Sequence, residues 1–497
     1  MLTTLVLAAS ISLQTAAAEV AALPGEPHTV SAAAIASDNR DLLTLEGEDP
    51  LGASSRRRVA VVAAIGAGEE GEQAVVQTVR WFKTSAPAAL RREWALSAAP
   101  VATIDQASRL ARWVVFQAPD LIVELGAGGM ATWSESVMKP ATAGLGDVHV
   151  ATLAIDRNVS VAVADLLSKA PPQRSPLHAA LLARAARDPL AVARVLASHY
   201  PQQPIMSYIP SVAWVSMLRL TAITHEREWR DKVVEQTRGW VSGEKPLFGN
   251  QTPLTSVAGA MIFGEMKDVA KADALLTEPR RLASAIKDDG TYANGRGWTD
   301  DMFMATAVLV RTGQLDLAAR MLSQYAERLQ RPDGIFMHGS DGPVAWGRGN
   351  GFAAFGAMEA LSVMPASHPL RRKILEMLRR QMAALKTMQA PDGMWREVID
   401  EPGSYRELTA TAMIFSVMAR GIRLGWLDRS YAPVAARAWR ALSAHVADDG
   451  SLVDVCESTG AGPTKEYYLN RKAISGLDDR GGAMALRAAV ERHELHD

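Results

Sequence analysis

The 497-residue chain is short of several things. It has one cysteine, Cys456, which excludes an intrachain disulfide framework and any thiolate metal cluster. It has almost no excess charge of either sign, with 53 Lys and Arg against 54 Asp and Glu. That balance gives no basic footprint for nucleic acid or an anionic membrane surface, so neither is expected as a partner. Beyond its first residues it lacks any run near the ~18 uninterrupted apolar residues of a membrane span. Its 37 glycines and 25 prolines are too few for a collagen-like or low-complexity chain. What remains is a globular chain long enough for two or three domains, each able to bury a sizeable core.

Residues 1–18, MLTTLVLAASISLQTAAA, form an apolar run ending in Ala16-Ala17-Ala18. Small residues after an apolar stretch are the pattern of a cleavable secretory signal, although no Lys or Arg precedes the run. The expectation is an exported, periplasmic protein.

A first domain is expected over 19–160. Arg58–Ile65 is a continuous apolar run, as in a buried parallel strand. A helical segment follows, then a strand-like run near Trp94–Ala102, a helix around Ala107–Phe116, and a strand over Asp120–Gly126. This alternation is the grammar of a doubly wound α/β sheet. The first turn, Gly66-Ala-Gly68-Glu-Glu-Gly71, spells the dinucleotide fingerprint. Glu69 and Glu70 would repel a pyrophosphate there, and no acid ends the next strand to hold a ribose. The segments around Gly66–Glu69, Pro100–Asp105 and Pro119–Gly126 weakly resemble a zinc carboxypeptidase core. In that resemblance Gly66 and Gly126 stand where zinc ligands would be, and only Glu69 survives. A single carboxylate cannot hold a catalytic zinc.

A second domain is expected over 161–497. Four Asp-Gly turns, at Asp289, Asp333, Asp392 and Asp449, punctuate long amphipathic helices such as Gln314–Arg331 and Leu370–Met388. Repeats of about 50 residues indicate stacked helical hairpins. The loops after the turns are rich in Trp, Arg, Asp and His, which favours closure into an (α/α) barrel over an open solenoid.

Those loops carry the chemistry. In Gly297-Trp-Thr-Asp300-Asp301, acids in a first helical turn suit the helix dipole, and neighbours point about 100° apart, so only one can face a given substrate atom. The stretch from Gly334 to Phe352 includes His338, Asp341, Trp346 and Arg348. Its Gly347, Gly349 and Gly351 would let backbone approach a ligand closely. Arg348 suits bidentate recognition of a carboxylate, and Trp346 offers a flat face for a sugar ring. Trp395, Tyr405, Glu407 and Tyr468 occupy matching places in later units and complete the expected pocket.

With GWTDDMFM, HGSDGPVAWGRGNGF, DGMWREVIDEPGSYRELTATAM and EYYLN in order, residues of roughly 200–490 resemble the unsaturated rhamnogalacturonyl and glucuronyl hydrolases, glycoside hydrolase families 105 and 88. The resemblance implies an (α/α)6 barrel without metal or organic cofactor. The substrate would be an oligosaccharide ending in a 4,5-unsaturated uronic acid left by a polysaccharide lyase, and the reaction would begin with hydration of its C4=C5 bond. By position, Asp300 is the implied proton donor. Asp301, His338, Trp346, Arg348, Trp395, Tyr405, Glu407 and Tyr468 would contact substrate. The family's second, upstream Asp is missing, because the matching stretch Thr252–Gly259 has no acid. Asp301 or Asp341 could substitute for it. Two other readings share the residues: a carbohydrate-binding pseudoenzyme, and a hydrolase of saturated uronides using two carboxylates.

Overall fold

The computed structural model describes residues 13–54, 56–126, 132–133, 137–142 and 144–495. The chain divides into two compact units.

The first unit runs to Ala186 and also takes in 391–393 and 401–405. Its strands are β1 (Thr29–Ile35), β2 (Asp41–Glu46), β3 (Arg57–Ala63), β4 (Trp94–Ala99), β5 (Leu121–Gly126) and β6 (His149–Ala154). They form one sheet in the order β1-β2-β4-β3-β5-β6. The β4-β3-β5-β6 portion is parallel, while β1 and β2 add an antiparallel hairpin edge. Helices α1 (Gly68–Thr84) and α2 (Ile104–Phe116) supply crossovers, and Thr103 caps α2 through a capping box. The α/β grammar read from the sequence is therefore present, and the hairpin is the addition. Gly126 has no room for a side chain, since a Cβ there would collide with that of Ala64, and Glu69 is exposed.

Two boundaries differ from expectation. Helix α3 (Val159–Lys169) buries Val163 and Leu167 in the first unit's core, so that unit extends past residue 160 to Ala186. Residues 13–22 are helical, with Ala17 and Val20 buried in the same core. The rest of the expected targeting segment, 1–12, lies outside the described residues.

The second unit is a double ring of helices. Its inner members, among the described residues, are α5 (Tyr208–Thr224), α7 (Leu254–Gly259), α9 (Thr299–Arg311), α11 (Gly347–Val363), α13 (Leu408–Arg423) and α15 (Asp479–Glu494). Each packs on the next, and α15 returns to α5, which closes the ring. Around them lie α4 (Pro189–His199), α6 (Arg227–Val241), α8 (Thr277–Ala283), α10 (Leu315–Leu329), α12 (Arg371–Thr387) and α14 (Ala432–Ala444). Sequence decides which ring a helix joins. Helix α11 is buried continuously from Gly347 to Leu361, as befits a helix apolar nearly all round, whereas α10 and α12 are one-sided.

The four Asp-Gly turns are equivalent devices. Gly290, Gly334, Gly393 and Gly450 all have positive φ, between 77° and 98°, which glycine adopts without strain. At three of them the aspartate accepts the backbone N–H two residues on: Asp289 from Thr291, Asp333 from Ile335 and Asp449 from Ser451. Each turn reverses the chain after an outer element. The inner helices therefore all start at one mouth of the barrel, which gathers Tyr208, Asp300, Arg348 and Glu407 at or beside first turns.

Candidate active site

At that mouth Asp300 sits in the first turn of α9 and is 4% exposed. Its Oδ2 lies 3.1 Å from His338 Nε2, and its Oδ1 is buried without a hydrogen-bond partner. The other ring nitrogen, His338 Nδ1, lies 2.8 Å from the Tyr468 hydroxyl. Burial pushes the Tyr468 phenol up to about 12, so it carries its proton at neutral pH. The imidazole is wedged between indoles, 4.9 Å from Trp298 and 4.4 Å from Trp346 by ring centres. The backbone of the two loops is joined where Thr299 N–H donates to the His338 carbonyl at 2.8 Å. Asp300, His338 and Tyr468 thus form one buried relay with a free carboxyl oxygen at its end.

Trp346 and Arg348 join this cluster in roles other than those expected. Trp346 is fully buried and has two guanidinium groups against its ring, Arg348 at 4.8 Å and Arg471 at 4.9 Å from the ring centre. No face is open for a sugar ring. The half-buried Trp298 lies tilted against His338, with its Nε1 donating to Asp341 Oδ1 at 2.8 Å. Arg348 is also fully buried. Its Nη1 donates to the Cys456 carbonyl (3.2 Å) and its Nη2 to the Ser458 carbonyl (2.5 Å) and Thr459 Oγ1 (3.2 Å). Both Nη groups are bonded to the 456–459 loop and the Nε is buried without a partner, so Arg348 presents no open fork for a carboxylate. The glycines around it serve packing: a Cβ on Gly347 would run into the Arg396 carbonyl, and one on Gly351 into Met413.

Three more expected residues are structural. Asp301 faces away from His338, accepting from Gly297 N (2.7 Å), Arg296 N (3.0 Å) and the Tyr325 hydroxyl (2.9 Å). Burial raises its pKa to about 6 against those hydrogen bonds. Glu407 caps α13, accepting from the backbone of Thr409 (2.9 Å) and Ala410 (2.5 Å), and also from Cys456 N (2.9 Å). Trp395 is buried, with its Nε1 donating to the Leu385 carbonyl at 2.8 Å. Tyr405 falls in 401–405, a segment of the first unit.

Three residues of the cluster were not singled out from the sequence: Tyr208, Glu397 and Arg471. Glu397 is fully buried on the loop after β7 (Trp395–Arg396). Its Oε1 accepts from Trp346 Nε1 (2.9 Å), the Cys456 thiol (3.2 Å) and Arg471 Nη1 (3.3 Å), and its Oε2 has no partner. Burial, then the Glu407 carboxylate, pushes its pKa to about 8, overcoming Arg471 and Arg348. Tyr208 opens α5, and its pKa is raised to about 12 by burial, with Arg348 opposing and Asp300 adding to the shift. Glu397 stood within a motif already quoted, and a buried acid beside Trp395 was its signal. Arg471 had none.

Among the described residues no group of three or more His, Cys, Asp or Glu is arranged to hold a metal ion, and no helix is long and apolar enough to cross a membrane.

A closed double ring of helices whose inner N-termini surround a buried acid defines an (α/α)6 barrel of the glycoside hydrolase kind. The chain belongs to Glycosyl Hydrolase Family 88, whose pattern matches residues 201–496. A curated relative, the unsaturated rhamnogalacturonyl hydrolase YesR of Bacillus subtilis, is 27% identical over 188 residues, 35% of this chain and 53% of the relative. The chain thus spans about half the length of that relative. Among solved structures, one described as a possible member of family GH105 from Klebsiella pneumoniae has a TM-score of 0.56 at 19% identity, covering 62% of this chain and 93% of that one. A family 105 glycoside hydrolase from C. acetobutylicum has a TM-score of 0.54 at 17% identity, covering 61% of this chain and 98% of that one. These two similarities establish the barrel fold.

Proposed function

We propose that the barrel removes a 4,5-unsaturated uronic acid from the end of lyase-generated oligosaccharides, with Asp300 starting the reaction as proton donor. The observation that carries this reading is Asp300 itself, a buried carboxyl with Oδ2 held by His338 and Oδ1 unpartnered. Family membership and the name of the Bacillus subtilis relative support the substrate class.

The unsaturated uronide is a vinyl ether. Asp300 gives its proton to C4, and the C4=C5 electron pair forms the new C–H bond, leaving an oxocarbenium-like cation shared between C5 and the ring oxygen. Water adds to C5, and its proton returns to the Asp300 carboxylate. The hemiketal so formed opens and releases the aglycone as an alcohol. With the Tyr468 hydroxyl donating to Nδ1, the His338 proton sits on Nε2 and is offered to Asp300 Oδ2, which steadies the carboxylate formed on proton loss. Trp298 supplies the aromatic face for the sugar.

The test is an absorbance screen over unsaturated disaccharides made by different lyases, with saturated uronides in parallel. Loss of the C4=C5 ultraviolet band on at least one unsaturated substrate is expected. Cleavage of saturated uronides alone, or binding without turnover, would replace this reading with one of its two rivals. Export is also part of the proposal, read from residues 1–18. N-terminal sequencing of protein recovered from cells should begin at Glu19; a chain retaining Ala17, which packs in the first unit's core, would contradict export by cleavage and make 13–22 part of the fold.

A further inference from the structure

A cleft of the barrel lies at the other ends of the inner helices, where α5, α9, α11, α13 and α15 finish. It encloses about 490 Å³. Its cations are Arg219, Lys267, Arg311, Arg420, Arg423 and Arg487. Facing them are Glu265, Glu359 and Glu494, with Glu491 immediately behind. Six positive groups thus meet four carboxylates.

The carboxylates are already committed. Glu491 accepts from Arg219 at 2.5 Å, from Arg487 at 3.0 Å and from Arg420. Glu359 pairs with Arg311 at 2.8 Å and Arg487 at 3.5 Å, and Glu494 with Arg423 at 2.7 Å and with Arg219. Both buried acids stay ionised: burial works against them, but Arg311, Arg487 and Arg420 hold Glu359 down near 2, and the guanidiniums around Glu491 lower it further. The shortage of negative charge is felt by Arg487, whose pKa falls to about 10 through burial and then the like charges of Arg420 and Arg219. Two cations are left open to the cleft. Lys267 is exposed and makes no ion pair among the described residues. Arg423 Nη2 lies 2.7 Å from Glu494 and 3.6 Å from Glu491, none of the hydrogen bonds described uses its Nε or Nη1, and its side chain is 32% exposed.

We propose that this cleft is a binding site for a small tetrahedral dianion of the phosphate or sulfate class, held by Lys267 and Arg423. A dianion supplies the two missing negative charges, and Arg423 at the end of α13 and Lys267 on the turn after Gly264, both on the cleft wall, offer donors for its oxygens. Most of the guanidinium donors here end on glutamates or on Ser362, and of the hydrogen bonds described only Arg311 reaches a helix carbonyl, that of Ala307. Capping of helix C-termini therefore does not account for the group. The proposal is independent of the reaction at Asp300.

Calorimetric titration of the full chain with inorganic phosphate, and separately sulfate, at constant ionic strength with chloride as the balancing salt, tests it. Saturable one-to-one binding is expected in the wild type. Loss of one charge-assisted hydrogen bond, about 1.5–3 kcal/mol, corresponds to roughly tenfold or greater weakening in Arg423→Ala. Lys267→Glu, a surface change that leaves the packed network intact, should abolish binding. Absence of saturable binding in the wild type, or unchanged affinity in Lys267→Glu, overturns the proposal. Binding by sulfate and phosphate alike points to any free dianion, whereas binding by one alone assigns the source.

Discussion

The two ends of the barrel bury carboxylates in opposite ways. At the helix C-termini, Glu491 and Glu359 are surrounded by arginines and remain charged. At the N-terminal mouth, Glu397 has a carboxylate neighbour in Glu407 and is driven to about 8, while Asp301 rises to about 6. Burial penalises all four. What differs is the balance around them: three guanidinium groups hold each of Glu491 and Glu359, whereas burial and the Glu407 carboxylate outweigh Arg471 and Arg348 at Glu397. The first arrangement locks five helices together. The second raises carboxyl pKa values and leaves Glu397 protonated at neutral pH.

Removing charge from the locked end should have the largest effect on folding. Glu491→Gln leaves Arg219, Arg420 and Arg487 crowded without their common acceptor, and breaking a buried network of this kind costs about 3–5 kcal/mol. Urea unfolding followed by circular dichroism would read it, and a loss below about 1 kcal/mol would mean that the network is dispensable. At the mouth, Asp301→Asn should cost less, about 1–3 kcal/mol, by weakening the bonds to Gly297, Arg296 and Tyr325. Its activity should stay well above that of an Asp300 variant. Equal losses in both would show that Asp301 stands in for the missing upstream acid.

Glu397 sharpens the comparison through pH. Its pKa rises from 4.5 when unfolded to about 8 when folded, so between those values the folded state binds more protons than the unfolded one. Stability contributed by this group is full below about pH 4.5, declines as pH rises, and is gone above about 8. Glu397→Gln should flatten that decline in denaturation midpoints measured from pH 5 to 8, and an unchanged slope would place the titration elsewhere. The smallest effect expected is that of Tyr468→Phe. It removes one hydrogen bond to His338, about 0.5–1.5 kcal/mol, so turnover should fall by roughly two- to tenfold with the alkaline limb of the pH–rate profile shifted.

The parts of the molecule legible in sequence are those fixed by local chemistry. An Asp-Gly turn needs only its own aspartate and a glycine at positive φ, so all four were visible, and the helices between them followed from apolar spacing. The β3-α1-β4-α2-β5 run was visible for the same reason. The β1-β2 hairpin escaped because β1, an Ala-rich strand at the sheet edge, alternates weakly, and β2 is short. At the site, Asp300, His338 and Tyr468 were named and do meet. The roles of Trp346 and Arg348 were misread because the groups that occupy them, Arg471, Glu397 and the 456–459 loop, are distant in sequence. An exposed Arg or Trp and a buried one look the same until their neighbours are known. Trp298, two residues before Asp300, stood in the quoted GWTDDMFM stretch without a role of its own.

The most direct test of the central claim is the turnover of an unsaturated uronyl disaccharide by Asp300→Asn against wild type, followed by loss of the C4=C5 absorbance. The substitution keeps the size of the side chain and an acceptor for His338 while removing the acid. The rate should fall on the order of 10² to 10⁴, the usual cost of losing a positioned general acid, with substrate affinity in equilibrium binding close to wild type. Turnover near the wild-type rate would contradict the assignment of Asp300 as the proton donor.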